Sequence, residues 1–485
     1  MTTTLYATIA AIVIISTAPR LAAQQSSHIV DTESSQHDTA VGDSTSRDGP
    51  SRHPVGTMPA DSAPSDDSHE MWMRPLGSWT VAGMAQVIPT FTGDDPFGPT
   101  SAPRMWEPYL TQPVIMGDLL SPGSRFALRI TLDFEGLTQR NGEITYGAWG
   151  EGFIDSRHPH TLLHELMISA NVWSAPGGAL SLSAGKGFVP YGTDDPMSRP
   201  VVKYPTNHHL SQILERWTLN AQYLTSFGTS IEAGIFGGAE PTGPYDLSNT
   251  DGFGDSWAVR AAQRFGSGFG SAAPWELSAS FARVRGDEHD VVRSTELSNV
   301  ALRYEESHDF GDVYALVEAS RSRPDGADGF HSVLGELRLG LGAGARHQPY
   351  YRVESATRPE YEREDVAGNS GFFRYDHDAA PIGATHWLIN TIGYGYEANG
   401  LPVSVRPYIE LQHNSVRKER GPADPYSLYG APSFWGVSAG VRFFFGGGPM
   451  RMGSYGVLDP MASAMRPAAS HSESSGAHDH MMHHP

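Results

Sequence analysis

Residues 125–135 read RFALRITLDFE. Phe126, Leu128, Ile130, Leu132 and Phe134 share one parity, and Ala127, Arg129, Thr131, Asp133 and Glu135 share the other. A side chain in a strand faces the opposite way from its neighbour, so this stretch predicts a β-strand with one apolar face and one charged face. In a soluble sandwich the charged face would look outward to water. In a membrane barrel the apolar face would look outward to lipid, and the charges would line a wet interior.

Working outward, the same alternation recurs at 79–88, 113–120, 163–173, 179–187, 216–224, 230–236, 257–265, 275–285, 298–305, 313–321, 330–341, 347–357, 386–397, 403–413 and 433–445. Together these predict about sixteen strands of roughly 9 to 11 residues, the length that crosses a bilayer at a tilt. The links between them sort by length. Short ones (121–124, 174–178, 225–229, 266–274, 307–312, 342–346, 398–402) alternate with long ones (89–112, 136–162, 188–215, 237–256, 286–297, 322–329, 358–385, 414–432). A sandwich gives no reason for such sorting. An up-and-down barrel does, with tight turns at one end and long loops at the other. Arg129, Asp133, Glu165, Arg260, Glu276, Arg283, Glu318, Glu336 and Arg338 are then expected on wet faces.

Composition agrees with this class. The 53 glycines and 35 prolines among 485 residues suit a turn-rich, all-β chain rather than a helical bundle. A formal net charge of −20 argues against nucleic acid as a partner, since a phosphate-binding surface needs clustered Lys and Arg. With no cysteine and 21 histidines, any metal would be held by imidazole, carboxylate or thioether. Residues 6–16 form an apolar run too short to span a bilayer, and Leu21-Ala22-Ala23 offers a small-residue cleavage site. This predicts a signal peptide over 1–23, although no Lys or Arg precedes the run. Residues 24–75 are acidic and poor in apolar side chains, which predicts a disordered lead. The barrel is expected over 76–446, followed by a flexible periplasmic tail over 447–485.

Metal-binding candidates fall in three places. The tail closes with AHDHMMHHP, bringing His478, His480, Met481, Met482, His483 and His484, a set whose imidazole and thioether groups suit copper or zinc. One long loop leads into His158, His160 and His164, and the next carries His208 and His209. Two consecutive loops on one rim can fold together into the lumen, where these histidines would converge. Equally, the second loop can be a folded-in constriction braced by its prolines, aspartates and arginines. On strand 403–413, His413 continues the lipid-facing parity and Ser415 follows two residues on. A histidine activating a serine there would resemble outer-membrane lipid hydrolases, although Asn414-Ser415-Val416 departs from the His-x-Ser-Asn order of those enzymes.

The segments SPGSRFALRITLDFE (121–135), RHPHTLLHEL (157–166) and NHHL (207–210), with the closing YSLYGAPSFWGVSAGVRFFF (426–445) and the His/Met tail, resemble a little-characterised bacterial outer-membrane β-barrel family associated with copper handling. The terminal aromatic of strand 433–445 resembles the assembly signal of such barrels, though here residues 446–485 follow it. The resemblance implies an outer-membrane location with both termini periplasmic, a metal link, and contact with barrel-assembly machinery and lipid. It supplies no catalytic residues. The expectation is a porin-like barrel for small solutes or ions that requires no cofactor and binds Cu or Zn ions, with a homo-oligomer among the expected partners. The alternatives are a non-conducting metal-binding barrel and a lipid hydrolase using His413 and Ser415.

Overall fold

The computed structural model describes residues 72–94, 106–135, 161–175, 177–195, 210–239, 241, 245–247, 250, 252–266, 273–288, 291–360, 363–364, 374–375, 382–398, 403–429, 431–446 and 455. All of them belong to the unit His69–Pro485. The expected signal peptide and nearly all of the expected lead and tail lie outside the described residues.

Alternating sequence becomes strand after strand. These are β1 (Trp72–Leu76), β2 (Trp79–Asp94), β3 (Trp106–Leu120), β4 (Phe126–Asp133), β5 (Leu163–Ala175), β6 (Gly178–Gly187), β7 (Arg216–Thr225), β8 (Thr229–Phe236), β9 (Ser256–Phe265) and β10 (Trp275–Glu288). There follow β11 (Val291–His308), β12 (Gly311–Pro324), β13 (Phe330–Leu341), β14 (His347–Glu360), the two-residue pair β15 (Arg363–Glu364) and β16 (Arg374–Tyr375), β17 (Gly383–Tyr396), β18 (Ser404–Arg420) and β19 (Ser433–Phe445). Each of the sixteen expected strands has its counterpart, and most are extended by a few residues.

Antiparallel pairing runs from β2 through β14 to β17, β18 and β19, and β19 returns to β2 with Phe445 opposite Ala85 and Gly436 opposite Asp94. Sixteen strands therefore close on themselves with no free edge, the only way a sheet satisfies its backbone in lipid. Below Ala85 the same edge of β2 is taken by β1, with Trp72 opposite Gly83 and Leu76 opposite Trp79. The N-terminal arm thus completes the seam where β19 has ended.

The faces are inside-out relative to a soluble protein. Ile115, Ile130, Ile168, Ile231, Val259, Val300, Ile392 and Ile409 are exposed on the outer wall. Thr131, Asp133, Ser183, Glu232, Arg260, Glu318, Arg352 and Glu410 are buried inside. In the deciding stretch, Phe126 and Ile130 face out and Thr131 and Asp133 face in, as their parity requires. This distribution matches a transmembrane barrel and not a sandwich. Among the described residues no helix is long and apolar enough to cross a membrane.

One expected wet-face charge is misplaced. Arg283 has outward parity, because Ser280 and Ala282 take the inner face of β10, and it pairs with Asp325 at 3.2 Å where both side chains are about half exposed.

Candidate functional site

Three features shape the interior of the barrel. The first is the loop after β6. Residues 188–195 and 210–215 turn inward along the wall and bond to strands β10–β12. The Gly192 amide donates to Ser280 Oγ at 2.8 Å on β10, and Thr193 Oγ1 donates to Glu318 Oε2 at 2.8 Å on β12. Asp194 accepts from Arg303 Nη1 at 2.6 Å on β11, and Ser211 meets Ser320 at 3.1 Å. Val189, Tyr191 and Ile213 pack with Phe236, Ala258, Ala282 and Leu297 into an apolar cluster inside the lumen. Burial beside Glu318 pushes the Tyr191 phenol well above its usual range, so it stays a neutral donor, bonded to the Leu210 carbonyl at 3.1 Å. Gly192 is obligatory: its φ of +73° is left-handed, and a Cβ there would lie 1.5 Å from the Ser211 carbonyl oxygen. The described ends of the loop are therefore fastened as a chord inside the lumen, in keeping with a folded-in loop braced by its prolines and charges.

The second feature ties this chord to the long-loop end of β5. Leu163 pairs with Leu132 and Glu165 with Thr131, so His164 sits on a β-bulge that redirects it from the lipid-facing parity into the interior. His164 is fully buried, with Nδ1 2.7 Å from Glu215 Oε1 and its ring edge-on to Phe188. Glu215 also accepts from the Thr161 amide, and Lys186 Nζ donates to Thr161 Oγ1 at 2.6 Å. These contacts hold Glu215 at φ +59°, a conformation that costs a non-glycine residue about 1–2 kcal/mol.

The third feature is Tyr455. It lies ten residues beyond the last residue of β19, in the segment expected as a flexible tail, and yet it is buried within the barrel. Its hydroxyl donates to Glu165 Oε1 at 2.7 Å and accepts from the Phe188 amide at 2.5 Å. A Cβ on Gly187 would lie 2.4 Å from that hydroxyl, so glycine is what lets the ring approach. Burial and the Glu165 carboxylate hold the Tyr455 phenol well above the usual tyrosine range, so the donor persists at alkaline pH.

The remaining wall is lined by paired charges. Arg352 is fully buried, donating from Nε to Glu336 at 2.8 Å with Nη2 at 2.6 Å from the same oxygen. Arg264 donates to Glu276 at 2.7 Å, and Arg260 lies 3.4 Å from Glu232. Arg358 stacks on Trp387 at 3.9 Å.

Of the expected metal ligands, His164 is placed on Glu215 inside the barrel. His158, His160, His208, His209, His478, His480, Met481, Met482, His483 and His484 lie outside the described residues. Among the described residues no group of three or more His, Asp and Glu is arranged to hold a metal ion. His413 does face outward, but its Nε2 is 2.9 Å from Ser433 Oγ on the neighbouring strand, and its ring packs on Trp435. Ser415 is aligned with Ser433 and Leu388. Among the described residues no carboxylate or amide hydrogen-bonds His413, so nothing orients the imidazole as a general base for Ser415.

No protein-family model matches the chain, and no curated protein matches it. Solved structures do. OmpT, an outer membrane protein of Vibrio cholerae, is similar at 9% identity over 77% of this chain and 99% of that one, with a TM-score of 0.43. An anion-selective porin from Comamonas acidovorans aligns at 10% identity over 76% of this chain and 99% of that one (TM-score 0.41). OprB of Pseudomonas putida aligns at 11% over 75% of this chain and 94% of that one (TM-score 0.45). The functional reading therefore rests on this chain's own geometry.

Proposed function

We propose that the protein is a porin-like barrel of the outer membrane that passes small polar solutes or ions through a narrowed lumen. The observation that carries this reading is the fastened chord. A loop of the barrel folds into the polar interior and bonds to three strands, through Gly192 to β10, Asp194 to β11 and Thr193 to β12, which narrows the passage. Tyr455, ten residues after the last strand, bonds to Phe188 at the root of the chord and to Glu165 on β5. Copper or zinc capture by the histidine- and methionine-rich segments is a separable proposal that rests on sequence alone. Truncation after Met465 assigns any bound metal to the tail or to the rim loops.

The decisive experiment is conductance of the purified full chain in planar bilayers. Discrete steps are expected, and they should enlarge in Thr193→Val/Arg303→Gln, which unfastens the chord from β11 and β12. A folded protein that inserts and carries no current, in both the wild type and that variant, overturns the reading.

A further inference from the structure

Near the short-turn end of the interior, away from the chord, the rule of paired charges fails. Arg406 on β18 and Arg442 on β19 are directly opposite one another, both on the inner face, and both are buried (7% and 4% exposed). Arg338 on β13 also has inward parity and lies within electrostatic reach of both. Like charges directly across a strand pair repel, and a buried guanidinium remains charged. Three cations gathered in a poorly hydrated place therefore call for carboxylates; Glu397 acts on all three, and Glu305 and Asp312 act on Arg338.

Arg442 donates from Nε to Gln86 Oε1 at 2.8 Å, and its guanidinium sits 5.5 Å from the Phe444 ring; among the described residues no carboxylate is within ion-pair distance of it. Arg406 donates to the amide oxygen of Gln348, and its nearest carboxylate, Glu397, is 3.7 Å away and is itself bonded to Ser404. The Nε atoms of Arg338 and Arg406 are buried without a hydrogen bond. Glu305 and Asp312 act on Arg338 only at longer range. The space for this arrangement comes from β17, whose inward positions are glycine here. A Cβ on Gly395 would lie 3.0 Å from Arg406 Cδ, and one on Gly393 would lie 2.1 Å from the Tyr350 ring. Both side chains thus lie flat across the strand.

We propose that Arg338, Arg406 and Arg442 form an anion-binding niche in the lumen that takes a small oxyanion, a phosphate or carboxylate group of a permeating solute. Amide partners such as Gln86 and Gln348 orient the guanidiniums without neutralising them, which leaves their charge for a ligand. Guanidinium forks match such oxygens, and hydrogen bonds between ionised partners are about twice as strong as neutral ones. The niche would set which solutes linger in the pore. As a selectivity element it rests on the channel reading above; as a binding site it does not.

The test uses the full chain folded in detergent, titrated with inorganic phosphate and, in a second arm, with acetate, by calorimetry. Conductance in planar bilayers is measured separately. Saturable binding is expected, weakened by at least about tenfold in Arg406→Gln/Arg442→Gln, largely retained in Arg406→Lys/Arg442→Lys, and tightened in Glu397→Gln. Folding of each variant is checked by heat-modifiable migration on gels. If the double Gln variant does not fold, Arg442→Gln alone and Glu397→Gln decide by the direction in which affinity moves. Folded wild-type protein that binds neither anion, or affinity unchanged by loss of both arginines, overturns the niche. Binding without any current would instead sink the channel reading and leave the niche standing.

Discussion

The barrel treats the same residue in two ways. Arg352, on β14, is completely buried and locked onto Glu336, whereas Arg442, on β19, is almost as buried and faces a glutamine and another arginine. In the first region charge is present for structure: the two ions neutralise each other, and the polar interior becomes a solid wall. In the second the guanidiniums are held by amide oxygens, with Glu397 3.7 Å from Arg406, an arrangement that the proposed niche would turn toward an arriving anion. Burial alone therefore does not say what a lumenal arginine does; its partner's charge does.

Four substitutions would break or sharpen that contrast. The largest effect is expected from Arg352→Met, which leaves Glu336 as an uncompensated buried carboxylate and should cost about 3–5 kcal/mol. A fall in the temperature of heat-modifiable migration, or failure to fold, would report it. Arg442→Gln in the same assay should change little, because it strands no carboxylate; an equal loss in both would erase the distinction between the two regions. Next is Gly192→Ala. Its Cβ would collide with the Ser211 carbonyl in a left-handed backbone, so the chord must leave its seat, and single-channel conductance should rise while the fold survives. Unchanged conductance would mean that the chord does not limit flow. The smallest effect is expected from Tyr455→Phe, which removes the bond to Glu165 but keeps the ring. That should cost about 1–2 kcal/mol locally and increase the frequency of open events more than their size.

Much of this molecule was legible in its sequence. Period-2 alternation placed all sixteen wall strands, because a half-lipid, half-water environment imprints every second residue. The sorting of links held only in part, since the one expected long at 286–297 is the two residues between Glu288 and Val291, which pair across a hairpin, and the one expected long at 322–329 is cut to 325–329. The inward chord was legible as one of two readings of the segment 188–215. What escaped depended on register and on single departures from period. His164 was expected on a rim loop as a metal ligand, and one bulged residue carries it inside to Glu215. Arg283 was expected on a wet face, and the parity of Ala282 turns it outward. His413 was paired with Ser415 along one strand, but pleating brings Ser433 of the next strand closer. Tyr455 is a single aromatic amid glycine and methionine, with no periodicity to signal it. The facing of Arg406 and Arg442 joins residues of two strands, and only their pairing reveals it.

The seam between β2 and β19, with β1 extending it, has a consequence in time. It joins residues 85–94 to residues 436–445, so the pairing spans nearly the whole chain. The entropy of closing so long a loop must be met before any of those bonds form, and contacts between distant residues form slowly. Every other wall pairing joins neighbours in the chain and can form locally. The wall is therefore a ribbon that lengthens from hairpin to hairpin and becomes a cylinder only when its last-made strand finds one of its first. Until that moment both β2 and β19 carry open edges, and whatever shelters them from other chains governs how much barrel a cell obtains.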